Sequence, residues 1–85
     1  MGKELIYTNK ALKGLKIMPK KQAVKMTVSL KEIAADNTAG LDIRKLHGMD
    51  GFRLRIGQFR AVYTNDMVVM TVENIGPRGS IYKRK

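Results

Sequence analysis

Three arginines stand close together in the segment Arg53-Leu54-Arg55-Ile56-Gly57-Gln58-Phe59-Arg60. Its charged and apolar residues alternate with a period of two, which is typical of a β-strand with one charged and one apolar face. If Gly57-Gln58 is a two-residue turn, Arg55 lies directly across from Arg60 in a hairpin. Like charges that face each other across two strands destabilise a sheet by about 0.2–1 kcal/mol. We therefore expect the arginines to bind an anionic ligand.

The charge of the whole chain also indicates an anionic partner. Its 85 residues include 17 lysines and arginines against 7 aspartates and glutamates, which gives a formal net charge of +10. Such an excess favours a nucleic acid, an anionic membrane surface or an acidic protein as the partner. No apolar run approaches the roughly 20 residues of a membrane-spanning helix, and Leu5-Ile6-Tyr7 is much shorter than the apolar core of a secretory signal. We therefore expect a cytoplasmic protein that does not enter a membrane.

The residue types that most often bind metals or transfer protons are scarce. The sequence has no cysteine and a single histidine, His47. A disulfide framework and a thiolate metal site are therefore impossible, and neither a zinc site nor a catalytic histidine pair is expected. His47 precedes Gly48 in a predicted loop, where a structural or exposed histidine is more common than an acid–base group. We predict no metal and no cofactor.

Two helices are predicted in the first half of the chain. Residues 4–7 form a short strand candidate, after which Thr8 or Asn9 caps a first helix, and Pro19 marks the start of a second. Apolar residues recur at intervals of three and four in both helices, and the stretch 36–40 ends the second. The residues expected on the inner faces are Ala11, Leu12 and Leu15 in the first helix and Ala23, Met26, Leu30, Ile33 and Ala34 in the second.

Three antiparallel strands are predicted in the second half, over residues 52–56, 59–64 and 67–75, with Gly57-Gln58 and Asn65-Asp66 as two-residue turns. One face of this sheet is apolar enough to cover both helices, and the opposite face is a shallow basic surface, open unless a partner covers it. The apolar face is expected to hold Leu54, Ile56, Phe59, Ala61, Tyr63, Val68, Met70 and Val72, and the basic face Arg53, Arg55, Arg60, Val62, Val69, Thr71 and Glu73. The sequence thus predicts an α+β fold: a short N-terminal strand, a two-helix hairpin and an antiparallel β-sheet meander.

The order of motifs in the second half resembles that of RelE-type toxins of the RelE/ParE toxin–antitoxin superfamily. The segments that carry the resemblance are Leu46-His47-Gly48, Phe52-Arg53-Leu54-Arg55, Phe59-Arg60-Ala61-Val62-Tyr63, Ile75-Gly76-Pro77-Arg78-Gly79 and Tyr82-Lys83. The resemblance implies the RelE-like microbial RNase fold in a single domain over residues 1–85. It also implies the toxin of a toxin–antitoxin pair, an endoribonuclease that enters the ribosomal A site, cuts the exposed mRNA codon and so inhibits translation.

The resemblance further implies roles for five residues. Arg53 and Arg55 match two cationic residues on the family's second strand, where lysine is frequent, and Arg60 matches an arginine on the third. Arg78 matches an arginine just after the last strand, and Tyr82 a tyrosine near the C-terminus. In the expected reaction the 2′-hydroxyl attacks the adjacent phosphorus, Arg60 binds the scissile phosphate and Arg78 stabilises the leaving oxygen. Arg53 and Arg55 are expected to hold flanking phosphates, and Tyr82 to stack on a base.

The sequence leaves the general base of this reaction open. Arginine is a poor proton acceptor, and a tyrosine with an ordinary pKa of about 10 is a weak base at neutral pH. Tyr82, Lys83 and a group of the ribosomal RNA are the alternatives. Glu73, a carboxylate on the predicted basic face, is expected to form a salt bridge with Arg60 or Arg55 rather than to act in catalysis.

The expected partners are a cognate acidic antitoxin and the ribosome with its mRNA, and the free chain is expected to be monomeric. Because the sequence ends at Lys85, no further helix is expected to cover the basic face. Two other functions remain as alternatives, since one fold supports several activities: a ParE-like toxin that inhibits gyrase, and a non-catalytic basic module that binds RNA. The ParE-like alternative does not need the full set of arginines together with Tyr82.

Overall fold

Seven elements form the fold in the computed structural model, which describes residues 3–48 and 50–77. They are β1 (Glu4–Tyr7), α1 (Asn9–Lys16), α2 (Lys20–Ala34), β2 (Asp42–Lys45), β3 (Phe52–Ile56), β4 (Phe59–Asn65) and β5 (Val69–Pro77). The strands make a sheet in the order β1-β5-β4-β3-β2, in which β1 runs parallel to β5 and the other neighbours are antiparallel. The predicted α+β fold is confirmed, with one strand more than expected.

Both helices begin where the sequence predicts. Thr8 caps α1, because its side-chain oxygen accepts a hydrogen bond from the Ala11 backbone N–H at 3.0 Å. Pro19 directly precedes α2, where its missing N–H would have no partner within the helix. After α2 the chain turns at Asp36, which has a φ of 64°. Neither helix is long and apolar enough to cross a membrane.

Helix α1 packs on β5 through its backbone at Gly14. A Cβ added to Gly14 would lie 1.7 Å from the carbonyl oxygen of Ile75, so a side chain is impossible at this approach. Ala11 and Gly14 are buried as a result, whereas Leu12 is turned outwards and exposed. The expectation that Leu12 lies on the inner side is therefore wrong. In α2 the predicted inner residues Met26, Leu30, Ile33 and Ala34 are buried, and Ala23 is partly buried against the core.

The connection between β4 and β5 is longer than the predicted two-residue turn. Residues 66–68 form the loop, which is closed by a hydrogen bond from the Asp66 N–H to the Val69 carbonyl oxygen at 2.9 Å. Tyr63 consequently pairs with Val72 instead of Val68, and Val68 is 70% exposed. The residue that pairs with Tyr63 thus lies four positions further along the chain than predicted. Because four is an even number, the same residues of β5 still point to the apolar face. Met70 and Val72 are therefore buried as predicted.

A β-bulge changes the second part of β5. Tyr63 pairs with Val72, but the preceding residue Val62 pairs with Asn74, which leaves Glu73 as the extra residue. The bulge reverses the alternation beyond this point, so Ile75 is buried.

Strand β2 was missed by the sequence reasoning. Its residues Asp42 and Arg44 pair with Arg55 and Arg53 of β3. The sequence Asp-Ile-Arg-Lys contains one apolar residue in four, which is too weak an alternation to indicate a strand. As the outer neighbour of β3, β2 adds a carboxylate and a further arginine to the basic face.

Candidate nucleic-acid interface

The β3–β4 hairpin brings three of the five predicted site residues to one face of the sheet. Arg55 pairs directly with Arg60, and Arg53 pairs with Val62, as the two-residue turn at Gly57-Gln58 predicts. Gly57 has a φ of 60°, a backbone conformation in which glycine is favoured. The other two site residues, Arg78 and Tyr82, and the alternative base Lys83 lie outside the described residues, so their roles stay predictions.

Arg55 and Arg60 line one cavity at the turn end of the hairpin. Its volume is about 420 Å³, and Gly57, Gln58 and Pro77 complete the lining. A guanidinium group donates two parallel hydrogen bonds to a phosphate, and two such groups on one cavity offer more positive charge than a single phosphate neutralises. The cavity therefore has the size and the donors to receive an anion.

The basic face is less open than the sequence led us to expect. Arg53 is 7% and Arg60 8% exposed, whereas the side chain of Arg55 is 50% exposed. Arg53 is paired on both sides, with Arg44 of β2 and Val62 of β4, so neighbouring side chains flank its aliphatic chain. Arg55 is paired on the β2 side with Asp42, whose short side chain leaves Arg55 accessible. Of these three arginines, Arg55 presents most of its surface to a ligand.

Asp42, which the sequence reasoning did not select, holds two of the arginines. Its Oδ1 lies 3.4 Å from Arg53 Nη2, and its Oδ2 lies 3.3 Å from Arg55 Nε. The register explains both contacts, because Asp42 is directly opposite Arg55 and diagonal to Arg53. Over residues 3–48 and 50–77, the salt bridges of these arginines go to Asp42, and Glu73 makes none with Arg60 or Arg55. The role expected of Glu73 thus belongs to Asp42.

One nitrogen of Arg53 is left without a partner. Nη1 is buried and has no hydrogen bond within the described part of the chain, although Nη2 contacts Asp42. A buried donor without a partner costs free energy, about 1–3 kcal/mol for a neutral group and more for a charged one. Arg53 is therefore a costly residue for the stability of this fold.

His47 and the arginines are not brought together. His47 lines a separate cavity of about 770 Å³ with Lys45, Leu46, Gly48 and Asp50 in the β2–β3 connection. That connection leads into the start of β3, whereas Arg55 and Arg60 flank the turn at its end. Neither of these arginines lines the histidine cavity.

Tyr7 and Tyr63 are placed for packing and not for proton transfer. The Tyr63 ring stacks on Phe52 with a centroid distance of 5.6 Å, and burial raises the pKa of Tyr63 to about 12. Burial also raises the pKa of Tyr7. Both phenols stay protonated at neutral pH, and neither lines the cavity of Arg55 and Arg60. Tyr82 therefore remains the phenol that the sequence assigns to the site.

The order and packing of these elements match solved toxin structures. The fold superposes on a chain of the RelB–RelE antitoxin–toxin complex from Methanococcus jannaschii with a TM-score of 0.77 and 21% identity, over 91% of this chain and 94% of that one. A variant of the E. coli toxin RelE in the free state gives a TM-score of 0.75 and 22% identity, over 94% and 87% of the two chains. The chain has the RelE-type toxin fold.

A third solved structure has the same fold at a lower sequence identity. YafQ from E. coli strain BL21(DE3) gives a TM-score of 0.76 with 13% identity, over 95% of this chain and 99% of that one. No family model matches the sequence, and no curated protein matches it. Because such low identities show the fold alone, an activity of this chain has to be inferred from the arginine site.

Proposed function

We propose that the chain is the toxin of a toxin–antitoxin pair and a metal-independent endoribonuclease that cuts mRNA in the ribosomal A site. The observation that supports this most is the direct pairing of Arg55 with Arg60 on one cavity of about 420 Å³. Two guanidinium groups repel each other, and both attract a phosphate placed between them. The RelE-type fold adds the context in which such a site acts on RNA.

The reaction assigned to this site begins with attack of the 2′-hydroxyl on the adjacent phosphorus. Negative charge grows on the phosphorane oxygens, and Arg60 and Arg55 stabilise it from the cavity. Arg53 is 7% exposed, pairs with Asp42 and does not line the cavity, so it is proposed to contribute positive charge beside the site rather than the phosphate contact first expected of it. Arg78 stabilises the departing 5′-oxygen, and Tyr82 stacks on or orients a base, as the resemblance implies.

The ribosome is proposed to complete the active site. Arginine is a poor proton acceptor, and the single histidine lines a different cavity from Arg55 and Arg60. Because residues 3–48 and 50–77 place no strong base in the cavity of Arg55 and Arg60, the reaction is proposed to depend on alignment of the 2′-hydroxyl with the phosphorus, which the decoding site imposes on an mRNA codon. Exposed lysines on α1 and α2 supply positive charge for contacts with ribosomal RNA.

An acidic antitoxin is the proposed protein partner. The M. jannaschii neighbour was crystallised as a RelB–RelE complex, and YafQ as the DinJ–YafQ toxin–antitoxin complex. For this chain, the net charge of +10 favours an acidic segment that covers the arginine face. Its association rate should fall as the salt concentration rises, and a rate that is indifferent to ionic strength would count against this partner.

Toeprinting of a translated message, with and without the protein, tests the proposed function. We expect new 3′ ends inside the codon that occupies the A site. A message that stays intact while DNA gyrase is inhibited would identify a ParE-like toxin instead. An intact message on ribosomes that carry the bound protein would identify a non-catalytic module.

A further inference from the structure

Asp42 and the two arginines that form the cavity lie in one row across the sheet. Asp42 of β2 pairs with Arg55 of β3, which in turn pairs with Arg60 of β4. Residues paired in this way point to the same face, with Cβ atoms about 4.5–5.5 Å apart. Arg55 therefore has a carboxylate on one side and a guanidinium on the other.

The contact between Asp42 and Arg55 uses one particular nitrogen. Asp42 Oδ2 lies 3.3 Å from Nε of Arg55. Of the three guanidinium nitrogens, Nε is the one closest to the backbone. Within the described residues, no salt bridge engages the two terminal nitrogens of Arg55. Those two nitrogens can donate two parallel hydrogen bonds to a phosphate that approaches the end of the side chain. Asp42 thus holds the Arg55 side chain without occupying its phosphate-binding end.

The contact with Asp42 opposes the repulsion that moves Arg55 away from the cavity. The side chain of Arg55 is half exposed, so little packing holds it in place, and the like charge of Arg60 directly opposite repels it. A negative charge on the outer side offsets this repulsion. Asp42 also contacts Arg53 Nη2 at 3.4 Å, so its carboxylate is itself fixed from a second direction.

We propose that Asp42 is a positioning residue that orients Arg55, so that the terminal nitrogens of Arg55 and the guanidinium of Arg60 receive the same phosphate group. The proposal rests on the proposed function in taking that phosphate to belong to RNA. It makes a prediction opposite to that of simple electrostatics. Removing a negative charge from a basic face ordinarily strengthens RNA binding. Removing Asp42 should instead weaken RNA binding, because Arg55 is no longer held where it contacts the phosphate.

Glu73 provides the matched control. It is exposed, it makes no salt bridge with these arginines, and Glu73→Gln removes the same charge as Asp42→Asn. Asp42→Glu keeps the charge and serves as the rescue variant. Asp42 is 44% exposed, so its substitutions are compatible with folding, which circular dichroism checks for each variant.

Binding is measured with a uridine hexanucleotide whose 2′-O-methyl groups prevent cleavage, while NMR follows the Nε–Hε signals of the arginines. We expect Asp42→Asn to shift the Arg55 signal and to bind the hexanucleotide at least about threefold more weakly than Glu73→Gln. Asp42→Glu should recover most of the difference. If Asp42→Asn binds as tightly as Glu73→Gln, or leaves the Arg55 signal unchanged, Asp42 does not position Arg55.

Single-turnover cleavage on programmed ribosomes adds a second readout. Asp42→Asn should lower the maximal rate by about 10-fold or more, whereas Glu73→Gln should stay within about twofold of the parent. A faster Asp42→Asn enzyme would mean that Asp42 competes with the phosphate, which overturns the proposal. If the parent cleaves nothing, the proposed function fails, but the binding and NMR measurements still decide whether Asp42 positions Arg55.

Discussion

Arg55 and Arg60 face each other directly across the β3–β4 hairpin. Two guanidinium groups in this position repel each other, and Asp42 offsets the repulsion from one side only. A chain of 85 residues has little stability to spare for such a pair. The pairing is best explained by an anion that binds between the two groups.

Replacing Arg53 with methionine should not destabilise the protein. Its guanidinium is buried, with one nitrogen unpartnered in the described part of the chain, so Arg53→Met removes a desolvated charge and keeps most of the packing volume. Exchanging a whole buried ion pair for apolar residues is often neutral or stabilising by about 1–4 kcal/mol, and here the remaining partner Asp42 is 44% exposed and keeps its contact with Arg55. Urea unfolding measures this, with Arg44→Met on the exposed partner position as the control. A loss of more than about 1 kcal/mol would show that Arg53 stabilises the fold.

Gly14→Ala should destabilise the protein although alanine favours helices. Helix propensity alone predicts a gain of about 0.8–1 kcal/mol. The added Cβ would meet the Ile75 carbonyl oxygen at 1.7 Å, so α1 must move away from β5, and overpacking of this kind typically costs about 1–3 kcal/mol. The measurement is again urea unfolding. Lys13→Ala, an exposed change in the same helix, should stay within about 0.5 kcal/mol, and a stabilised Gly14→Ala variant would contradict the close packing.

Tyr63 should make stability fall at alkaline pH. In the unfolded chain a tyrosine loses its proton near its ordinary pKa of about 10, whereas burial raises the folded pKa of Tyr63 to about 12. The stabilisation is fully present below pH 10 and is lost as the pH rises through about 12. Tyr63→Phe lacks this dependence, so the difference in unfolding free energy between parent and variant should change between pH 10 and 12. A difference in unfolding free energy that stays constant over that range would show that burial does not raise the pKa of Tyr63.

The hairpin could be predicted from sequence because its signals are local. The period-two alternation of residues 53–56 and the glycine of the Gly57-Gln58 turn together determine that Arg55 faces Arg60. The faces of Met70 and Val72 were also correct despite a wrong turn, since the register moved by an even number of residues.

The contact between Asp42 and the arginines could not be predicted in the same way. It depends on β2 joining the outer edge of β3, and the segment Asp42–Lys45 has one apolar residue to indicate a strand. The burial of Arg53 was missed for a related reason, because it depends on neighbours from two other strands. Long-range pairing of polar segments leaves no periodic signal along the chain.

The most direct test of the proposed phosphate site is single-turnover cleavage of the A-site codon on programmed ribosomes by the parent and by Arg60→Ala. Arg44→Ala removes the same charge from an exposed position on the same face and serves as the control. We expect Arg60→Ala, confirmed folded by circular dichroism, to cut about 10²–10³-fold more slowly, while Arg44→Ala stays close to the parent. Cleavage by Arg60→Ala at the parental rate would contradict this proposal, as would parental cleavage of the same RNA free in solution at an equal rate.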